Sequence, residues 1–257
     1  MSVDLARTVA GAQDGRDTVV LLGSLGSNRS MWNPQIEALA DGGLHVIAFD
    51  LRGHGDSPTP PGPYSLDDLA ADVLSNLDTL GVERFHLVGL SLGGAVGQHI
   101  SITAADRVVG LSLLCTAAKF GEPAGWVERA ATVRAQGTGA ITDAVVGRWF
   151  TADFAESHPG VVDEAVAMVR GTDDEGYAAC CEALAGWDSR ADLTAISART
   201  LAIAGAQDPS TPPDTVQILA DGITGARFEV LDPGAHLVNL ERATEVSALL
   251  RAHIVDA

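Results

Sequence analysis

Three side chains of this sequence are of the types that together make a serine reactive, although they lie far apart along the chain. Ser91 lies in a Gly-x-Ser-x-Gly motif at residues 89–93, Asp208 follows 117 residues later, and His236 a further 28 residues on. A serine hydroxyl is a poor nucleophile at neutral pH and needs an adjacent base, which a third group must orient. The residue types therefore predict nucleophilic catalysis by Ser91, with His236 as the base and Asp208 as the orienting acid.

The motif around Ser91 is typical of a strand that turns sharply into a helix. An apolar run begins at Phe85, and a helical pattern follows from Ala95. Gly89 and Gly93 lack side chains where the two backbones must nearly touch. Such a turn places the serine near a helix N-terminus, whose amides can receive an oxyanion. The alternative is a structural turn that happens to contain serine, since the motif arises easily in a chain with 28 glycines.

Asp208 and His236 each lie in a loop directly after a predicted strand, at residues 200–204 and 227–231 respectively. Ser91 also follows a predicted strand. Ligands of open α/β sheets bind outside the carboxyl ends of the strands, and these ends lie at one edge of the sheet. We therefore expect the three side chains to converge there.

Other titratable residues fit these roles less well. His54 lies in a polar loop at residues 50–57, and we interpret it as a residue that packs this turn. Asp232 is close in sequence to His236. Its position in the loop, however, directs its carboxylate toward the imidazole less surely than the position of Asp208 does. Asp208 and His236 therefore remain the preferred pair.

Two backbone amides are predicted to stabilise the oxyanion that forms during acyl transfer. One belongs to Leu92, the residue after the nucleophile, and the other to Leu25, in a glycine-rich loop that follows the predicted strand at 18–22. Preorganised amides of this kind are each worth roughly 2.7–4 kcal/mol to the transition state. Ser24 is predicted to add a side-chain hydrogen bond to the substrate or to the loop.

Short β-branched runs alternate with helical patterns along most of the chain. The sequence therefore predicts an α/β fold with a mostly parallel sheet that helices cover on both faces. Ser65 and Asp68 form a capping box at the start of one of these helices. Weak edge strands are expected at residues 3–5 and 8–10. The predicted buried strands lie at residues 18–22, 44–49, 85–89, 108–115, 200–204 and 227–231.

Between residues 121 and 193 the β-branched runs disappear and the pattern is helical throughout. We expect an all-helical cap here, inserted before the last strands. Residues 1–120 and 194–257 would then form the α/β core. The predicted cap helices lie at residues 125–136, 139–148, 159–170 and 174–186.

The composition limits the partners and the location. The formal net charge is −18, so the surface repels nucleic acid and anionic membranes, and neither is an expected partner. No run approaches the ~20 apolar residues of a membrane helix, and the N-terminus lacks the features of a signal peptide. We therefore expect a cytoplasmic protein. Three cysteines, two of them adjacent, indicate neither a disulfide framework nor a metal site, and no cofactor or metal is expected.

The predicted cap holds three of the four tryptophans and several arginines of this acidic chain. One interpretation is that the tryptophans form the cap's own small core and that the arginines pair with surface acids. The other is that some of them bind a ligand. The residues concerned are Trp126, Trp149, Trp187, Arg129, Arg134, Arg148, Arg170 and Arg190.

With these residues in view, nearly the whole chain resembles the 3-oxoadipate enol-lactonases of the α/β-hydrolase superfamily. The order Ser91, Asp208, His236 is the α/β-hydrolase order. The general part of the resemblance is the loop at 50–57 together with Gly-Leu-Ser-Leu-Gly. The more specific motifs are Ser24-Leu25-Gly26, Met31-Trp32, Trp126-Val127-Glu128-Arg129, Arg148-Trp149-Phe150-Thr151 and the segment 176–183.

The resemblance implies a substrate as well as a chemistry. It implies hydrolysis of a five-membered enol-lactone with a carboxymethyl group, giving 3-oxoadipate in the β-ketoadipate pathway of aromatic catabolism, under a helical cap. An anionic substrate in so acidic a protein requires local arginine, which binds carboxylate bidentately. Arg129 and Arg134 are the candidates for that contact, and Trp126 and Trp149 are expected to wall the apolar side.

Other functions are compatible with the same nucleophile. A carboxylesterase, another lactonase or a perhydrolase-type esterase would use an identical Ser-His-Asp set, and only the cap would distinguish them. A non-catalytic small-molecule receptor on the same fold is a further alternative, against which the complete set of Ser91, Asp208 and His236 argues. The oligomeric state is left open by the sequence.

Overall fold

A seven-stranded sheet lies at the centre of the computed structural model, which describes residues 2–13 and 17–255. The spatial order is β1-β3-β2-β4-β5-β6-β7. Only β1 runs antiparallel, beside β3, and every other neighbouring pair in the described sheet is parallel. The strands are β1 (Arg7–Ala10), β2 (Thr18–Leu22), β3 (His45–Phe49), β4 (Phe85–Leu90), β5 (Val108–Leu114), β6 (Arg199–Gly205) and β7 (Arg227–Leu231).

The helices include those that cover the sheet and those that lie between β5 and β6. Short 3₁₀ turns precede or join several of them. The helices are α1 (Asn33–Asp41), α2 (Leu66–Thr79), α3 (Leu92–Thr103), α4 (Pro123–Gln136), α5 (Thr142–Val146), α6 (Ala152–Ser157), α7 (Pro159–Gly171), α8 (Asp174–Ala185), α9 (Pro213–Gly222), α10 (Val238–Glu241) and α11 (Ala243–Val255).

Both faces of the sheet are covered, as the continuous apolar strands predict. Val20 and Leu22 of β2 pack on one face with α2 and α3, while Val19 and Leu21 pack on the other with α1 and α11. Successive side chains of a strand point to opposite faces, so two cores are needed to bury such a strand. The predicted α/β fold is confirmed. Of the helices in the described ranges, none is both long and apolar enough to cross a membrane.

The segment predicted to form the cap is helical, from α4 to α8, and it packs closely on the core. Ala130 and Val133 of α4 and Tyr177 of α8 belong to the same buried cluster as the sheet's α2–α3 face. A Cβ on Gly53 would lie 2.4 Å from the Cα of Gly176, so a core loop and α8 meet backbone to backbone. The division into core and cap stays a prediction, and its core ranges include residues 1, 14–16, 256 and 257, which lie outside the described residues.

Some local expectations were wrong. No strand forms at residues 3–5, because the amides of Val3 and Leu5 donate to side chains of α2, to Asp72 at 2.8 Å and Asn76 at 3.0 Å, and not to a neighbouring strand. The helix expected at 139–148 is a 3₁₀ turn followed by the short α5.

Side-chain caps mark the start of two helices, one expected and one not. The capping box of α2 is confirmed, with the Ser65 amide donating to the Asp68 carboxylate at 3.0 Å and the Asp68 amide to the Ser65 hydroxyl at 3.2 Å. Helix α6 was not predicted, and it is capped by the Thr151 hydroxyl, which accepts from the Phe154 amide. The last helical region of the chain is divided into α10 and α11 by Arg242, whose backbone leaves the helical region.

Candidate active site

The strand, sharp turn and helix predicted around Ser91 are β4, Ser91 itself and α3. Ser91 has φ 54° and ψ −113°, a conformation that L-residues rarely adopt. Its amide donates to the Leu114 carbonyl at 3.0 Å, and its carbonyl accepts from the Thr116 hydroxyl at 2.7 Å. These bonds from β5 and the residues after it hold the strained turn in place.

Glycine is required on both sides of this turn. A Cβ on Gly89 would lie 2.3 Å from the Gly93 carbonyl oxygen, and a Cβ on Gly93 would lie 2.2 Å from the Leu22 carbonyl oxygen. Real side chains do not approach a backbone oxygen so closely. The glycines of the motif therefore allow β4, α3 and β2 to meet, which puts Ser91 at the carboxyl edge of the sheet.

Asp208 and His236 form a buried pair at the same edge, in the loops that follow β6 and β7. His236 Nδ1 lies 2.8 Å from Asp208 Oδ2, and both side chains are almost fully buried. Asp208 Oδ2 also accepts from the Thr211 hydroxyl at 2.6 Å, and Oδ1 accepts from the amides of Ser210 at 2.8 Å and Thr211 at 3.2 Å. Four donors thus converge on one carboxylate.

These donors determine the charge of Asp208. Burial acts to raise the pKa of the carboxyl, but the attraction of His236 and the hydrogen bonds from His236, Thr211 and Ser210 outweigh it and hold the pKa below its ordinary value. Asp208 is therefore ionised at neutral pH. Since a carboxylate can only accept, His236 carries a proton on Nδ1, and Nε2 is the nitrogen that can accept a proton in the neutral imidazole.

The loop that carries His236 is held on both sides of the imidazole. The Ala235 amide donates to the Glu241 carboxylate at 3.0 Å, and the Leu237 amide donates to the Trp149 carbonyl at 2.9 Å. The second bond joins the loop to the helical segment between β5 and β6. The position of His236 therefore depends on that segment as well as on the sheet.

Ser91 and His236 face one cavity of about 430 Å³. Within the part of the chain that the structure describes, the imidazole's hydrogen bonds go to Asp208 and Thr211 and not to the Ser91 hydroxyl. Catalytic hydrogen bonds are often long in the absence of substrate. The arrangement can pass a proton from a serine to a buried, carboxylate-oriented imidazole, which is the chemistry of acyl transfer.

The two amides expected to bind the oxyanion lie at the same place. Leu92 is the first residue of α3, and Leu25 lies in the loop after β2. The Gly93 amide donates to the Gly23 carbonyl at 3.0 Å and so ties this loop to the start of α3. Neither the Leu25 nor the Leu92 amide has an acceptor among the described residues. Ser24, beside Leu25, lines the cavity.

Most of the predicted substrate-binding side chains line the cavity as well. Trp126, Arg129 and Trp149 form part of its wall, and the Arg129 guanidinium carbon lies 4.8 Å from the centre of the Trp126 ring. Arg148, one of the cap arginines considered for ligand binding but not chosen for the carboxylate contact, also lines it. Among the described residues, no carboxylate lies within ion-pair distance of Arg129 or Arg148.

Arg134 is placed elsewhere. It does not line the cavity, and its guanidinium pairs with Glu175 at 2.8 Å and Glu182 at 2.5 Å on the outside of α8. The hydrogen bonds to Glu175 and then Glu182 raise the pKa of Arg134. The expectation that Arg134 binds substrate is therefore corrected: it pairs with surface acids, the alternative considered for the cap arginines.

Thr211 was missed by sequence reasoning. A signal was present, because Asp208, Ser210 and Thr211 form an Asp-x-Ser-Thr turn in which an aspartate accepts from amides two and three residues on. No group of three or more His, Cys, Asp or Glu side chains that could hold a metal ion occurs within residues 2–13 and 17–255.

Comparison with known proteins agrees with this fold. Residues 19–249 match the model of the alpha/beta hydrolase family, and the chain belongs to that family. The 3-oxoadipate enol-lactonase 2 of Acinetobacter baylyi is 41% identical over 230 residues, 90% of this chain and 85% of the relative.

Solved structures are similar over almost the whole chain. The enol-lactonase from Burkholderia xenovorans is 38% identical with a TM-score of 0.95, covering 98% of this chain and 97% of that one. A thermophilic esterase from Thermogutta terrifontis is 30% identical with a TM-score of 0.93, covering 99% and 94% respectively. Within its family the chain is thus an enol-lactonase-like hydrolase.

Proposed function

We propose that this chain is a serine hydrolase that opens a carboxylated enol-lactone, converting 3-oxoadipate enol-lactone to 3-oxoadipate in the β-ketoadipate pathway. The observation that carries the proposal is the buried Asp208–His236 pair, at 2.8 Å, facing the same cavity as Ser91. The similarity to named enol-lactonases supports the choice of substrate.

In the first half-reaction His236 Nε2 takes the proton of the Ser91 hydroxyl while the serine oxygen attacks the lactone carbonyl. The Leu25 and Leu92 amides stabilise the oxyanion of the tetrahedral intermediate. Its collapse breaks the acyl carbon–oxygen bond of the ring. The leaving enol oxygen takes the proton from His236, and the enol then becomes the more stable ketone, which favours ring opening.

In the second half-reaction water replaces the serine. The water oxygen attacks the acyl carbon of the acyl-enzyme while His236 accepts a proton from the water. The same two amides stabilise the second oxyanion. The Ser91 oxygen leaves and takes the proton back from His236. The product is a carboxylic acid, which ionises at neutral pH, and the enzyme is restored. Asp208 stays ionised throughout and holds the imidazole in its tautomer.

The substrate carboxylate is bound, on this proposal, by cavity arginines. Arg129 and Arg148 both line the cavity, and neither pairs with a carboxylate of the described residues. In a chain of charge −18, two such guanidinium groups would attract an anion to this site, whereas Lys119, which also lines the cavity, is paired with Glu122. Trp126 and Trp149 supply the apolar wall, with residues 121–193 acting as the cap that closes over the substrate.

The test compares an anionic lactone with a neutral ester in matched variants. Arg129→Gln and Arg148→Gln are expected to lower kcat/KM for the enol-lactone by about 10- to 100-fold, since hydrogen bonds to charged groups are worth about 1.5–3 kcal/mol. Hydrolysis of p-nitrophenyl acetate should stay nearly unchanged. Arg134→Gln, outside the cavity, is the control and should affect neither substrate.

Three outcomes would contradict the proposal in different ways. Equal losses on both substrates in Arg129→Gln and Arg148→Gln would show that these arginines do not recognise the carboxylate. Failure of the unmodified protein to open the enol-lactone, with good turnover of simple esters or homoserine lactones, would indicate the esterase or the other lactonase instead. Absence of turnover on every ester would indicate a receptor.

A further inference from the structure

His54 lies in the loop between β3 and α2, and the function described so far does not use it. Its side chain is buried, with 2% of the residue exposed. Both ring nitrogens contact backbone groups of different segments. The Gly26 amide donates to Nε2 at 3.0 Å, and Nδ1 lies 3.1 Å from the Arg52 carbonyl oxygen. His54 therefore joins its own loop to the loop that carries Leu25.

These two partners leave the imidazole one protonation state. A backbone amide can only donate, so Nε2 must be unprotonated, and a carbonyl can only accept, so Nδ1 must carry the proton. Burial lowers the pKa of His54, against the opposing effects of the Arg52 carbonyl and Asp50, and so favours this neutral form. The ring acts as a fixed acceptor for the Gly26 amide.

The Gly26 amide belongs to the Leu25–Gly26 peptide group. This group directly follows the Ser24–Leu25 peptide group, which carries the Leu25 amide. Three successive peptide groups of this loop are each held by a hydrogen bond. The Gly23 carbonyl accepts from the Gly93 amide at 3.0 Å, the Ser24 carbonyl accepts from the Ser27 amide at 3.1 Å, and the Gly26 amide donates to His54. The Leu25 amide lies in the middle group.

The third of these restraints depends on a side chain outside the loop. Gly26 has φ 81°, and a Cβ at this position would approach the Tyr177 ring at 3.0 Å. The glycine that permits this turn also has the most conformational freedom of any residue. Without an acceptor for its buried amide, the peptide after Leu25 can rotate, and the aim of the Leu25 amide changes with it.

We propose that His54 is a positioning residue for the oxyanion loop, holding the Leu25–Gly26 peptide so that the Leu25 amide points at the developing oxyanion. The inference rests on the proposed function of Leu25 as an oxyanion donor. It does not depend on which ester is the natural substrate, because every acyl transfer at Ser91 forms an oxyanion in the same place.

The test is a pair of substitutions at one position. His54→Gln keeps an acceptor near the position of Nε2, whereas His54→Leu fills the space without one. Kinetics with p-nitrophenyl acetate and with the enol-lactone are expected to show kcat reduced roughly 10- to 100-fold in His54→Leu, since loss of an oxyanion donor costs about 10²–10³-fold. His54→Gln should retain activity within about threefold.

A structural role alone would not give this pattern. Phenylboronic acid forms a tetrahedral adduct with an active-site serine, so its affinity should fall in parallel with kcat in His54→Leu while KM changes less than about twofold. The control is His45→Leu, which removes another buried histidine at the opposite end of the sheet, where the ring contacts the Thr18 hydroxyl at 3.1 Å. That variant should keep both kcat and the boronate affinity.

Several results would overturn the inference. They are full activity in His54→Leu, equal losses in His54→Gln and His54→Leu, or unchanged boronate affinity despite a lower kcat. Should His54→Leu fail to fold, ¹⁵N NMR of the unmodified protein decides, because a proton on His54 Nε2 excludes the bond from Gly26. If the enol-lactone is not a substrate, the proposed enol-lactonase function fails. The comparison of His54→Gln with His54→Leu on p-nitrophenyl acetate then still tests the role of His54.

Discussion

Replacing Thr211 by valine would remove one hydrogen bond from the Asp208–His236 pair and leave the shape of the site almost unchanged. The Thr211 hydroxyl donates at 2.6 Å to Asp208 Oδ2, the same oxygen that His236 contacts at 2.8 Å. The residue is buried, with 1% exposed, so water cannot easily replace the lost donor. Asp208 would keep the imidazole and two backbone amides.

The structure gives an approximate magnitude for this change. A hydrogen bond to a charged group is worth about 1.5–3 kcal/mol, and the remaining donors favour the lower part of that range. Thr211→Val should therefore lower the free energy of unfolding at pH 7 by about 1.5–2 kcal/mol. We expect kcat/KM for p-nitrophenyl acetate to fall about tenfold, the equivalent of 1.4 kcal/mol in the transition state.

The effect should depend on pH in a defined direction. The pKa of Asp208 in the folded protein lies below its ordinary value, so the stabilisation from its donors is present at neutral pH and is lost as the pH falls through the folded pKa. The difference in unfolding free energy between the unmodified protein and Thr211→Val should accordingly be largest at pH 7. It should shrink only below the ordinary aspartate pKa of about 3.9, as the pH falls through the lower pKa of the folded carboxyl.

Urea unfolding followed by tryptophan fluorescence measures this difference across the pH range. Thr211→Ser is the matched control, because it keeps the hydroxyl and should lose only about 0.8 kcal/mol, at every pH, from one buried methyl group. The reasoning is refuted if Thr211→Val differs from the unmodified protein by less than about 0.5 kcal/mol at pH 7. A difference in unfolding free energy that is larger in acid than at pH 7 would refute it as well.

Two further predictions concern stored strain and acid stability. Ser91→Gly and Ser91→Ala should both abolish ester turnover, but only Ser91→Gly should raise the free energy of unfolding, by about 1 kcal/mol, because glycine relieves the strained φ of 54°; equal melting temperatures for the two variants would contradict this. Burial, followed by the charge of Arg199, lowers the pKa of His253 to about 4. Since the unfolded chain binds this proton near pH 6.5, His253 alone should lower the free energy of unfolding by roughly 3 kcal/mol between pH 6.5 and 4. His253→Gln should remove most of that loss in urea unfolding at the two pH values, and an unchanged pH dependence would show that other groups cause it.

Much of the fold was predictable because its signals are local. Continuous apolar runs indicated the parallel strands, and the capping box at Ser65 and Asp68 marked the start of α2. The boundaries that were missed depend on contacts from distant residues. The expected strand at 3–5 is absent because Asp72 and Asn76 of α2 take its amides, and no pattern within residues 3–5 shows that.

The cavity wall was predictable only in part. Arg129 and Arg134 lie on one helix, five residues apart, and so point about 140° away from each other. Helical periodicity shows that they occupy different faces but does not say which face meets the cavity. That depends on how α4 packs against α8, where Glu175 and Glu182 bind Arg134.

The sequence by itself determined the strand–turn–helix at Ser91, because two glycines and an apolar run specify that backbone locally. It also indicated Asp208 and His236, because parallel strands bring their carboxyl ends to one edge. Only the tertiary structure decided that Thr211 completes the donors around Asp208, that His54 binds the loop of Leu25, and that Arg148 lines the cavity. These contacts join loops from different strands and helices, and their hydrogen bonds require distances of about 3 Å that residue spacing along the chain does not specify.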